Sequence, residues 1–194
     1  MFDFNNTVIT KVQNPLKVTK SSMIEFKVGA LRDSGLFRFK KIIEFNVGGR
    51  SYTRYLIYSK LEEGDRILEV FPGNNGQLET YVYTLKDTIP FSEDFLDVAG
   101  QRFLNTPDGF EYQRCILPDD ERRLDGLRGS IKVYNIETGD MERESQVTLW
   151  DYRREEPGKT EFLNVEMAEE NGMFRIFVGE IIEDIFYRFY QTAK

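Results

Sequence analysis

From Ile42 onward the chain repeats short runs in which apolar and polar residues alternate, recurring roughly every 8 to 15 residues with turn-forming clusters between them. This period of two predicts strands. The clearest unit is Ile42 to Val47, then Gly48-Gly49, then Arg50 to Tyr58. Two glycines between alternating runs suit a tight hairpin turn, whose positive φ angles glycine adopts at little cost. Counting outward from the turn gives the register. Val47 faces Arg50, Phe45 faces Tyr52 and Ile43 faces Arg54 on one side; Glu44 faces Thr53 and Ile42 faces Tyr55 on the other.

Further strands are expected at Arg66 to Phe71 and Gln77 to Leu85, separated by the turn signal Pro72-Gly73-Asn74-Asn75-Gly76. One helix is marked next. Ser92 can cap it, Glu93 and Asp94 suit the positive end of its dipole, Phe91 can pack onto Leu96, and Gly100 can close it. More strands follow at Phe110 to Ile116, Ile131 to Glu137, Gln146 to Arg153, Glu161 to Met167 and Met173 to Ile181, with a charged loop, Pro118 to Gly129, that has room for one helical turn. In Ile182 to Tyr190, the spacing of Ile182, Ile185, Phe186 and Phe189 leans to a helix. Residues 1–38 show no comparable pattern apart from Met23 to Val28. The expectation is a single domain spanning 1–194, of α+β class: predominantly antiparallel β-sheet, meander- or sandwich-like, with one or two short helices.

Composition then removes chemistry. The chain has 194 residues, one cysteine and no histidine, long enough to bury roughly 70% of its unfolded surface without staples. A single cysteine, Cys115, forbids an intramolecular disulfide and any multi-cysteine metal site. The absence of histidine removes His-based triads, dyads and metal ligands. Carboxylate, lysine or tyrosine chemistry and hard oxygen-ligated cations survive. The run Val47-Gly48-Gly49-Arg50 matches no phosphate-binding loop, so no nucleotide or other cofactor is expected. Asp119-Asp120-Glu121 and Glu155-Glu156 lack the alternating ligands of a calcium loop and read as solvated charge, so no metal site is expected. Cys115, inside an expected strand, reads as a small core residue, and Trp150 with Tyr152 as an aromatic core stripe. No basic-then-apolar leader and no run of about 18 apolar residues occurs, which fits a soluble, cytoplasmic, reduced protein.

Charge is split along the chain. Residues 1–60 hold 11 Lys or Arg against 4 Asp or Glu, whereas residues 61–194 hold 15 against 29. The overall net charge of −7 argues against a nucleic-acid binder. The basic residues of segment 1–40, together with Lys41, either meet the acidic remainder of the same chain, or face an acidic partner or anionic lipid.

Three motifs share one spacing. Tyr52-x-Arg54, Tyr112-x-Arg114 and Tyr152-x-Arg154 each put a tyrosine and an arginine on one face of an expected strand. If those strands adjoin, the guanidinium groups converge on an anion beside a tyrosine wall; otherwise each arginine covers an aromatic neighbour and reaches a local acid. Arg54 stands out, because the register puts it beside Ile43 on the face carrying Phe45, where a charge has to be paired or partly wet. The segments Ser51-Tyr52-Thr53-Arg54-Tyr55, Asp108-Gly109-Phe110-Glu111-Tyr112-Gln113-Arg114 and Leu149-Trp150-Asp151-Tyr152-Arg153-Arg154 resemble, in order, segments of the YjfK-like bacterial proteins of unknown function. The likeness spans residues 42–182 and implies an accessory cytoplasmic role beside membrane-stress proteins, without known catalytic residues. The leading expectation is thus a non-enzymatic module that binds another protein, with peripheral contact to an anionic membrane as a further possibility. The alternative is a small-anion-binding protein or enzyme whose pocket is Tyr52, Arg54, Tyr112, Arg114, Tyr152 and Arg154.

Overall fold

The structure is a computed structural model that describes residues 9–11, 18–27, 35–59, 64–72, 78–115, 125–183 and 186–192. Thirteen strands and one helix follow in order: β1 (Ile9–Lys11), β2 (Ser22–Phe26), β3 (Gly35–Val47), β4 (Arg50–Tyr58), β5 (Arg66–Pro72), β6 (Leu78–Pro90), α1 (Glu93–Ala99), β7 (Phe103–Asn105), β8 (Glu111–Arg114), β9 (Leu127–Asn135), β10 (Met141–Glu156), β11 (Lys159–Ala168), β12 (Met173–Ile181) and β13 (Tyr187–Thr192).

Eight of these close on themselves. β3 to β6 form one antiparallel meander and β9 to β12 another. They meet at two antiparallel seams, β3 with β9 and β6 with β12, so the sheet becomes a barrel. The long strands β3 and β10 each serve two neighbours along one edge. β3 pairs with β2 through Gly35–Arg38 and with β9 through Lys41–Val47, and a register shift falls between Phe39 and Lys41. β10 pairs with β9 through Met141–Leu149 and with β8 at Tyr152 and Arg153.

Those branches cover the barrel from outside. The branch β1–β13–β2 lays Ile24, Phe26 and Phe189 against Tyr55, Ile57, Leu68 and Val82 of the barrel wall. On the other half of the ring, α1, β7 and β8 lay Ala99, Leu104 and Tyr112 against Trp150, Tyr152, Leu163, Val165 and Phe174. Wall strands are therefore buried on both faces where they are covered. Residues 147–150 of β10, 163–166 of β11 and 67–70 of β5 are each four consecutive buried positions, where a half-exposed sheet would alternate.

This closure corrects the expected fold class. The molecule is not an open meander or sandwich with one or two helices; it is a closed eight-stranded barrel with one short helix among the described residues. Local alternation encodes strands and hairpins, whereas closure depends on β9 finding β3 and β10 across long stretches of chain. The C-terminal expectation is corrected too. Tyr187–Thr192 is a strand, because it is inserted between β1 and β2, whose open edges it completes. The helix stands where the sequence put it: Ser92 accepts a hydrogen bond from Phe95 N at 3.1 Å and Gly100 N reaches Leu96 O. Phe91 stacks on Phe174, at 5.9 Å between ring centroids. No helix among the described residues is long and apolar enough to cross a membrane.

Candidate functional site

The hairpin register places Arg54 inside the barrel, and its neighbours explain how a charge survives there. Alternation turns Ile43, Phe45 and Val47 of β3, Tyr52, Arg54 and Leu56 of β4, and Ile67 and Glu69 of β5 toward the lumen. Arg54 is 4% exposed. Its Nε donates to Glu69, its cross-strand neighbour, while Nη1 reaches across the lumen to Glu166 and to Asn164 Oδ1 at 3.1 Å, both on β11. The guanidinium also lies over the rings of Phe45, Tyr83 and Tyr52, at 4.8, 5.2 and 5.6 Å. Arg175 donates to Glu166 at 3.0 Å, and Asn164 Nδ2 donates to Asp151 Oδ1 at 2.6 Å. One ionic network thus ties the two meanders together from within.

Electrostatics follow from burial. Burial alone would lower the affinity of Arg54 for its proton, but Glu69 foremost, then Tyr52 and Glu166, hold it well above its ordinary value. Burial raises Glu69 above the usual carboxylate range, against the opposing charge of Arg54. Tyr52 and Tyr83 are both raised, by burial first.

Beside this network a cavity of about 220 Å³ opens toward the β3–β4 turn. Tyr52, Phe71, Tyr81 and Phe162 form its aromatic wall, and Asp151, Arg50 and Cys115 supply polar lining. Cys115 is exposed, which corrects its expected place in the core: β8 ends at Arg114 and the chain leaves the sheet there. Crowding by protein, then the charge of Asp151, pushes its thiol up to about 11.

The other Tyr-x-Arg side chains are engaged away from Arg54, although Tyr152 joins Tyr52 and Arg54 in lining the lumen cavity. β8 and β10 do adjoin, with Arg114 opposite Tyr152. Arg114 donates to Gly100 O at 3.1 Å and Asp125 O at 2.7 Å, and the Tyr152 hydroxyl shares its proton between Ala99 O and Gln101 O. These two residues tie the chain around the C-terminal end of α1 onto the barrel. Tyr112 and Arg154 instead meet at Glu161: Tyr112 donates to it, and Arg154 reaches it at 2.9 Å while lying 3.8 Å over the Phe110 ring. Arg154 also pairs with Glu156. Burial would raise Glu161, but its hydrogen bonds from Tyr112 and Arg154 hold it below the usual carboxylate value.

The three arginines therefore occupy three places, each engaged by the chain's own acids or carbonyls, and no more than one of them lines either the lumen cavity or the groove between β6 and the α1–β7–β8 cover. Sequence reasoning passed over Glu69, Asn164, Glu166 and Asp151. The available signal was a polar residue in mid-strand between apolar ones, as in Leu68-Glu69-Val70, Leu163-Asn164-Val165 and Val165-Glu166-Met167. Asp119-Asp120-Glu121 lie outside the described residues; Glu155 accepts from Thr160 Oγ1 at 2.6 Å and Glu156 is held by Arg154.

A larger groove, about 1010 Å³, runs over the outer wall between β6 and the α1–β7–β8 cover. Leu163, Ile176 and Val178 line it on the barrel side, Phe95, Val98 and Leu104 on the cover side. Lys86 and Asp108 meet across it at 3.7 Å, both largely exposed. Along it, β6 residues 85–90 pair with β12 but with no strand on the other edge among the described residues.

No protein-family model, no curated protein and no solved structure matches this chain.

Proposed function

We propose that this chain is a non-enzymatic module that binds another protein, taking an extended apolar segment of that partner into the outer groove. The observation that carries this reading is the groove itself. It joins an apolar lining to an edge of β6, at Leu85–Pro90, that no strand among the described residues pairs, and an incoming strand uses both, the edge for main-chain hydrogen bonds and the lining for alternate side chains. Exposed Val98, Leu85, Phe103 and Phe110, each between 42% and 47% accessible, extend the apolar surface nearby. The charges beside the groove, Lys86, Asp87, Asp108, Lys159 and Glu180, are mixed in sign, so the partner segment is apolar with mixed flanks rather than strongly charged. The resemblance to YjfK-like proteins adds a setting, a cytoplasmic assembly beside membrane-stress proteins.

The test is affinity capture of the tagged protein from its native host, with and without mild detergent, beside the variant Val98→Asp. A stoichiometric partner that the wild type retains and the variant loses, at equal melting temperature, supports the groove. Equal capture by both removes it, and dependence on detergent places the partner at the membrane.

A further inference from the structure

The lumen cavity makes no contribution to that reading, yet it is built as a site. Its wall is a connected series of rings across four strands. Tyr52 lies 5.3 Å from Phe71, Phe71 lies 5.9 Å from Tyr81, and Tyr81 lies 5.2 Å from Phe162. Tyr52 and Tyr83 also line it, and neither hydroxyl is hydrogen-bonded to a described residue. Asp151 also lines it. One of its oxygens takes the Asn164 amide, and no lysine or arginine among the described residues forms an ion pair with it.

Charge then selects the ligand. Arg54 is already shared between Glu69 and Glu166, so it has little to offer an anion. Two lining charges have no ion pair among the described residues, the Asp151 carboxylate and the Arg50 guanidinium, and Arg50 is exposed. Aromatic faces beside a carboxylate attract organic cations, because the ring quadrupole and the negative charge act together.

We propose that the lumen cavity binds a small alkylammonium group, with Asp151 as its counter-charge and the Tyr52, Phe71, Tyr81 and Phe162 rings as its wall. A volume of about 220 Å³ suits such a head group and a short substituent. The cavity and the outer groove share Leu163 on their linings but open in different places, so either proposal stands if the other fails.

Cys115 provides a reporter, since it lines the same cavity and is the chain's one thiol. Its thiolate attacks a methanethiosulfonate reagent at the sulfenyl sulfur, forming a mixed disulfide and releasing methanesulfinate. Labelling rates are compared for a reagent bearing trimethylammonium and one bearing sulfonate, at an ionic strength that screens the overall negative charge to about 8 Å. The expected result is a cationic reagent faster by at least about tenfold, a difference worth about 1.4 kcal/mol, slowed by millimolar choline and unaffected by benzoate. Protection by glycine betaine as well would show Arg50 taking its carboxylate; protection by choline alone would show the ammonium sufficing, and both support the site. Asp151→Asn should collapse the preference, and should that variant fail to fold, Phe71→Leu should weaken choline protection. Absence of choline protection in the wild type, protection by benzoate instead, or an unchanged preference in a folded Asp151→Asn overturns the proposal.

Discussion

Arg54 balances two buried carboxylates, Glu69 and Glu166. Glu69 is almost wholly dependent on it, while Glu166 is also paired with Arg175. Replacing Arg54 by Met keeps volume but strands Glu69 and leaves Glu166 with Arg175 alone, and breaking a buried pair in this way costs about 3–5 kcal/mol. Urea unfolding should show a loss of that order, and an unchanged midpoint would mean that the lumen is wet enough to solvate both acids. Exchanging Arg54, Glu69 and Glu166 together for apolar residues should recover much of the loss, since an ion cluster stabilises little relative to well-packed apolar groups. Glu161 gives the pH counterpart. Its carboxyl is held below the ordinary value of 4.5 in the fold, so its contribution is present above that value and disappears as pH falls through the folded one. The midpoint of urea unfolding in Glu161→Gln should accordingly fall less than that of the wild type between pH 6 and pH 3, with the difference shrinking in salt because the pair is partly exposed.

Single elements were the most legible part of the sequence. Every pair expected for the β3–β4 hairpin is present, from Val47 opposite Arg50 to Ile42 opposite Tyr55, because the turn and the alternation determine that register locally. Met173–Ile181 and the capped helix were equally plain for the same reason. Of the candidate site, the pairing of Arg54 was foreseeable from its place beside Ile43 and Phe45, but its partners on β11 were not, since no short-range signal links Arg54 to Glu166. The β9 seam was also hidden: the expected strand began at Ile131, whereas the real one begins at Leu127 and includes Gly129. Gly129 pairs with Val47 on one side and Val147 on the other, and a Cβ there would meet Asn46 O at 2.0 Å and Val47 Cα at 2.6 Å. Both obstacles are backbone. Gly129→Ala should therefore separate the seam and cost about 3 kcal/mol or more. Gly158→Ala, in the β10–β11 turn with φ +79° and nothing nearby, should cost only the left-handed strain of about 1–2 kcal/mol. Similar losses for the two would show that the seam relaxes.

At the scale of the whole molecule, the charge split becomes contact. Lys40 pairs with Asp65 at 3.0 Å and Lys41 with Glu142 at 2.7 Å, so part of the basic first third meets the acidic remainder across strands. The covering branch works in the same direction, because β13 from the end of the chain runs between β1 and β2 from its beginning. It buries Tyr187 and Phe189 against the barrel wall, and the Tyr187 hydroxyl meets Thr80 Oγ1 at 2.9 Å. Phe189 stacks on Phe39 at 6.2 Å, next to the register shift where β3 leaves β9 for β2. Ending the chain after Glu183 removes that strand, opens the β2 edge, and uncovers Phe39, Ile57 and Leu68 while leaving every barrel pairing intact. If the barrel were self-sufficient, the shortened chain would melt as the full one does. The continuous burial of residues 67–70 argues otherwise: that wall is apolar on its outer face and needs a cover. The truncated chain should bind a hydrophobic dye, self-associate through the freed edge, and lose cooperative melting, whereas Phe189→Leu, which keeps the strand and shortens its anchor, should lower the melting temperature and remain monomeric. A truncated chain that melts normally without dye binding would show the branch to be an accessory to the barrel rather than part of its fold.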